Sequence, residues 1–281
     1  GYINASAKKL KGAVIQFPTI SVGATENTLM AAALADGETV LENAALEPEI
    51  VDLAVLLRSM GVQISGEGTS TIRVKGSSTL KAAKHHIIAD RIEAGTYLSA
   101  VCITGGSIQL PGVPKELLAN VIEKFEAVGA DIKSNNSGLT ASFDPKRGPL
   151  KSKDIATKEF PGFPTDMQAQ YMAAMCFADG VSTINESIFE NRFMHVPELM
   201  RLGADIEIHG STCKVKGKGP ASLSGATVMA TDLRASASLV LAGLGAKGTS
   251  HVRRIYHLDR GYVQMEKKLM GLGAKIKRAK E

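Results

Sequence analysis

Tryptophan is absent from the sequence, and aromatic residues together make up 5% of it. So few flat rings leave little platform for stacking the bases of single-stranded nucleic acid. Cysteine is also scarce. Cys102, Cys176 and Cys213 form an odd set with two members inside apolar stretches, so they read as reduced structural residues rather than a disulfide framework. Histidines number six, and none has a zinc-like i, i+4 partner or a CxxC companion, which leaves no metal and no other cofactor to expect. No apolar run approaches the roughly 20 residues that a membrane helix requires. The opening GYINASAKKLKG carries no signal or transit pattern. These absences point to a cytoplasmic protein that engages neither membrane nor nucleic acid.

What is present describes an ordinary globule, 44% hydrophobic and 22% charged, whose 281 residues suggest two domains. The net charge of +5 is scattered along the chain and suits small anionic ligands. The chain also repeats. A helix of small and apolar residues, a glycine, a strand, an amphipathic helix, a second glycine and a strand pair recur four times. Gly37, Gly105, Gly180 and Gly248 end the first helices, and Gly61, Gly129, Gly203 and Gly273 follow them at 23 to 25 residues. The first helices, around 29–35, 97–103, 169–178 and 235–244, are apolar or small nearly all round. Such helices must be wrapped on every side, which predicts that they group inside with sheets outside. The stretch KAAKHHIIAD at 81–90 has little pattern of its own and marks a domain boundary, giving domains 1–88 and 89–281.

Charged side chains recur at the turns of these units. Asp166 stands just ahead of an apolar run and admits two readings, a helix N-cap or a general base. Arg192 lies at a strand-to-helix turn, Asp232 and Arg234 open the last inner helix, and Arg260 occupies a corresponding turn in YHLDRGY. The recurrence favours a shared anion site. In the first unit, Ser21-Val22-Gly23 joins a strand to a helix, where small residues and free N–H groups can receive phosphate. Glu47 and Glu49 suit the positive end of the helix they precede, and Asp90 beside Arg91 reads as a helix cap.

The strings SVGATENTLMAAALA, EPEIVDL, TDMQAQ, IFENRFMHVPEL, MATDLRASASLV and IYHLDRGY resemble the enolpyruvyl transferase family over almost the whole chain. IFENRFMHVPEL resembles the branch acting on UDP-N-acetylglucosamine rather than the one acting on 3-phosphoshikimate. The resemblance implies an α/β fold of βαβαββ-type repeats, an inside-out α/β barrel with helices within and sheets without. Four of six repeats are expected here. The first domain would be represented by its remaining part and the second by three repeats. The upstream repeats would bring a Lys-Asn pair and a mobile loop with the proton donor, so that N-terminal segment is expected as a partner and this chain alone is expected to be inactive.

The implied reaction moves the enolpyruvyl group of phosphoenolpyruvate to the 3′-hydroxyl of UDP-N-acetylglucosamine and releases phosphate, the first committed step of peptidoglycan synthesis. By the same resemblance Asp166 contacts that hydroxyl as its base. Arg192 and Arg234 clamp the phosphoenolpyruvate carboxylate, Arg260 faces the phosphate, and Asp232 lies beside the reacting carbons. Thr19, Ile20, Ser21, Val22 and Gly23 hold the nucleotide, although the family has Lys where Thr19 stands. Ile188, with Phe189, contacts the sugar. The alternatives are a non-catalytic repeat fragment or a 3-phosphoshikimate enolpyruvyl transferase.

Overall fold

The computed structural model describes residues 1–220 and 222–279. By contact it divides into two units, Gly1–Ile88 with Glu159–Pro161, and Ala89–Lys158 with the residues from Gly162 onward. Among the described residues no helix is long and apolar enough to cross a membrane.

The first unit runs β1 (Val14–Gln16), α1 (Val22–Ala32), β2 (Glu38–Glu42), α2 (Pro48–Ser59), β3 (Gln63–Ser65) and β4 (Thr71–Lys75). Its sheet has the order β1-β2-β4-β3, with β1 parallel to β2 and the other pairings antiparallel. Alternation sets the faces: Ile72 and Val74 are fully buried, whereas Arg73 and Lys75 point out. Ile50, Ala54 and Leu57 recur at helical spacing and give α2 its buried stripe. Helix α1 departs from the expectation that every first helix is wrapped. It buries Thr25, Leu29 and Ala32, while Met30 remains 46% exposed. The reason is local: α1 has one sheet and one helix of its unit to lie against.

The second unit opens with α3 (Arg91–Thr104), β5 (Gly106–Pro111), α4 (Ala119–Val128), β6 (Asp131–Asn135) and β7 (Gly138–Phe143), with sheet order β5-β7-β6. Short strands β8 (Leu150–Lys151) and β9 (Ile155–Ala156) lead to α5 (Gln168–Met175), β10 (Ala178–Asn185), α6 (Val196–Arg201), β11 (Asp205–His209) and β12 (Thr212–Lys218). This sheet has the order β11-β12-β10-β8, and β9 also pairs with β10. The chain closes with β13 (Thr227–Met229), α7 (Leu233–Gly245), β14 (His251–Arg253) and α8 (Met265–Gly271). Helices α3, α5 and α7 pack on one another, and every residue of α5 is buried. Their small side chains permit that approach, and the sheets cover their outer faces, the inside-out arrangement that the repeat predicts.

All eight repeat glycines adopt positive φ, from 73° at Gly105 to 120° at Gly129. The period therefore records where each unit must turn through a conformation that a side chain disfavours. The fourth repeat differs from expectation, because no strand follows Gly273 among the described residues. The apolar run at 169–178 is also shared differently: α5 stops at Met175, and Ala178 already pairs with Leu150 in the sheet.

Candidate functional site

Asp166 sits in a 3-10 turn, Thr165–Met167, that leads into α5. Gly95 on α3 makes room for this turn, since a Cβ there would stand 2.7 Å from Met167 Sδ, and Met167 is fully buried. The Asp166 carboxylate makes none of the capping bonds that one reading of the sequence foresaw. Within the 3-10 turn the Met167 N–H donates to the Pro164 carbonyl at 2.9 Å and the Gln168 N–H to the Thr165 carbonyl, so these amides need no side-chain cap. That frees the carboxylate to face two arginines. Arg192 Nη2 donates to Oδ1 at 2.6 Å, while Arg234 donates to Oδ2 from Nε at 3.1 Å and Nη2 at 2.8 Å.

The three side chains come from three segments. Arg192 follows Asn191, whose φ of 55° turns the chain at the strand-to-helix junction; asparagine tolerates that left-handed conformation better than most residues. The Arg192 guanidinium lies 4.9 Å from the centroid of Phe189, a half-exposed ring. Arg234 stands in the first turn of α7, capped by Asp232, whose Oδ1 accepts from the Arg234 and Ala235 amides at 2.8 and 2.9 Å. Asp232 is thus a helix cap that keeps a second oxygen for other work.

The electrostatics oppose one another. Burial pushes the Asp166 carboxyl up, but the Arg234 and Arg192 guanidiniums outweigh it and hold the group below its ordinary value. Burial acts against the Arg234 charge too, yet Asp166 pushes that guanidinium further up. Beside this cluster His195 is fully enclosed. Burial lowers its pKa to about 4, with Asp232 opposing and Arg192 assisting, and its Nε2 has no hydrogen-bond partner among the described residues.

Arg260 ends a 3-10 turn, Ile255–Arg260, on the surface, and it makes no hydrogen bond or ion pair among the described residues. The cluster around Asp166 therefore contains two of the three expected arginines. Its neighbour Asp259 is bound by Arg278. Ile188 and Phe189 are fixed by a residue that the sequence reading passed over. Glu186 Oε1 accepts from Thr157 Oγ1 and from the Ile188 and Phe189 amides, and Oε2 accepts from Thr165 Oγ1 at 2.8 Å. One buried carboxylate thus ties the Ile188 loop to the residue before Asp166. With its N–H engaged, Ile188 has its carbonyl left to offer. An acid directly after a strand was the available signal.

In the first unit, Ser21 caps α1 by accepting from the Ala24 amide at 3.2 Å. Thr19 is exposed, Ile20 packs on the core, and Val22 and Gly23 begin the helix. Nothing of the protein lies within 4 Å of a Cβ added at Gly23, so the fold itself does not require glycine there. Glu47 is buried at the start of α2 but makes no capping bond there, and Glu49 lies in the first turn. Their charges, after burial, push Glu26 up. Asp90 caps α3 through the Ile92 and Glu93 amides. All three cysteines are buried and free.

Residues 1–269 match the family model described as EPSP synthase (3-phosphoshikimate 1-carboxyvinyltransferase). Proteins named UDP-N-acetylglucosamine 1-carboxyvinyltransferase from Dinoroseobacter shibae and Geobacter metallireducens are 56% and 57% identical over 100% of this chain. Among solved structures, the enolpyruvyl transferase NikO from Streptomyces tendae matches with a TM-score of 0.87 and 27% identity, over 97% of this chain and 66% of that one. EPSP synthase from Acinetobacter baumannii matches with a TM-score of 0.70 and 20% identity, over 95% of this chain and 63% of that one, a likeness of fold alone. The chain spans 66% of the length of the curated relatives it matches.

Proposed function

Because the chain belongs to the EPSP synthase (3-phosphoshikimate 1-carboxyvinyltransferase) family, we propose that it carries one part of an enolpyruvyl transfer site. The enzyme joins the enolpyruvyl group of phosphoenolpyruvate to the 3′-hydroxyl of UDP-N-acetylglucosamine. In balance, a C–O bond to the sugar oxygen forms, the C–O bond to phosphate breaks, and the hydroxyl proton leaves the sugar. The observation that carries this reading is the carboxylate of Asp166 held between Arg192 and Arg234. Two guanidinium forks around one carboxylate make a site shaped for a planar anion, and the Asp166 carboxylate engages both forks.

Phosphoenolpyruvate brings a carboxylate that competes for the same donors. Once it takes them, Asp166 loses the charges that depress its pKa and keeps the burial that raises it, so it becomes a better base as the electrophile arrives. Asp232 and Arg260 lie on the same unit as further candidates for proton and phosphate handling. Ile188 and Phe189 offer a carbonyl and a ring to the sugar, and Thr19 to Gly23 offer a helix start to the nucleotide. The names of the relatives support the glucosamine nucleotide over 3-phosphoshikimate as acceptor. The same reading places the enzyme at the entry to peptidoglycan synthesis, in the cytoplasm.

The test is phosphate release with both substrates, measured on this chain and on a form extended to the length of the curated relatives. Release by the extended form with UDP-N-acetylglucosamine, and none with 3-phosphoshikimate, is expected. Turnover with 3-phosphoshikimate instead would overturn the acceptor assignment.

A further inference from the structure

Tyr262 lies beneath Arg234 and is 1% exposed. Its hydroxyl meets Arg234 Nη1 at 3.2 Å, Thr96 Oγ1 at 2.8 Å and Gln170 Nε2 at 3.4 Å, and its ring centroid is 5.8 Å from the guanidinium carbon. The direction of these bonds follows from counting protons. Thr96 has one hydroxyl proton and gives it to the Ile92 carbonyl at 2.8 Å. Its oxygen can then only accept, so the Tyr262 proton points to Thr96 and a phenol lone pair is left for Arg234. The two Gln170 amide protons go to its nearer acceptors, the Asp166 carbonyl at 2.9 Å and Thr96 Oγ1 at 3.1 Å. One buried network thereby holds both the backbone of Asp166 and the far edge of Arg234.

We propose that Tyr262 is a positioning residue, its hydroxyl oriented by Thr96 so that it fixes the Arg234 guanidinium edge-on to the anion site. Asp166 binds Nε and Nη2 of Arg234, whereas Tyr262 binds Nη1 from the protein side. An incoming anion can displace Asp166, but Tyr262 stays and keeps the fork aimed. Its importance for ligand capture rests on the reading of Arg192 and Arg234 as an anion site; its effect on the Asp166 pair does not.

The experiment follows Asp166 by carboxyl carbon NMR titration of the whole chain. Tyr262→Phe keeps the ring and removes the hydroxyl, and it is expected to raise the Asp166 midpoint by about half a unit or more as Arg234 loosens. Thr96→Val should shift it the same way, and Thr96→Ser, which restores the acceptor, should return it. Tyr97→Phe serves as a control, because that buried hydroxyl has no partner among the described residues. An unchanged midpoint in Tyr262→Phe, or an equal shift in Tyr97→Phe, overturns the proposal, and Thr96→Val decides the matter should Tyr262→Phe not fold. Titration with phosphoenolpyruvate forms a separate arm, with Tyr262→Phe expected to bind about tenfold more weakly, as for one lost hydrogen bond to a charged group. Wild-type chain that fails to bind phosphoenolpyruvate counts against the anion site, while the NMR result still decides the role of Tyr262.

Discussion

Replacing Asp166 with Asn probes the site most directly, because it removes the carboxylate while preserving its shape. Three hydrogen bonds from Arg192 and Arg234 converge on the two oxygens. The amide can accept at one position, but its N–H₂ would face a guanidinium at the other. Breaking a fully buried pair costs about 3–5 kcal/mol. Here the side chains of Asp166, Arg192 and Arg234 retain 37%, 25% and 16% of their exposure, so water screens part of the loss. A cost of about 1–2 kcal/mol follows, which lowers Tm by roughly 2–8 °C in a protein of this size class. Ligand binding should move the opposite way. Wild-type protein must release a charged carboxylate from both arginines before a foreign one enters, whereas the variant's neutral amide holds them less firmly. Phosphoenolpyruvate should therefore bind the Asn variant more tightly, by about tenfold for each 1.4 kcal/mol of competition removed. Turnover in the extended form should fall sharply at the same time. Calorimetric titration measures the first effect and phosphate release the second. Weaker phosphoenolpyruvate binding by the variant would refute the idea that Asp166 occupies the anion site.

Two further predictions concern the supports of that site. His195 is held neutral with a pKa near 4, chiefly by burial, so as pH falls the unfolded chain takes up its proton first; stability drains between about pH 6.5 and pH 4 by roughly 3 kcal/mol, and His195→Phe should flatten that part of a denaturation series. Glu186→Gln keeps one acceptor oxygen but loses the charge that collects four donors; it should cost about 1–3 kcal/mol in chemical denaturation, with faster amide exchange at Ile188 and Phe189, and slow exchange at both would contradict the role given to Glu186.

Much of the fold is legible in the sequence because it depends on local causes. The glycine period marks positions of positive φ, and the small, featureless helices announce that they must be buried. Alternation in β4 and helical spacing in α2 give their inner faces directly. The prediction for α1 failed because burial depends on how many neighbours surround a helix, which its own residues do not record.

The site divides along the same line. Sequence alone determined that Asp166, Arg192 and Arg234 stand at turns, since helix starts and junctions are written in nearby residues. It could not determine that a residue able to cap α5 would instead bind arginines 26 and 68 positions away, nor that Thr96 would orient a tyrosine 166 positions distant. Nor did it reveal that Glu186 ties the Ile188 loop to Thr165. Charge pairing and proton direction depend on which atoms meet across packed helices, and only the tertiary arrangement of α3, α5 and α7 brings those atoms within hydrogen-bond reach.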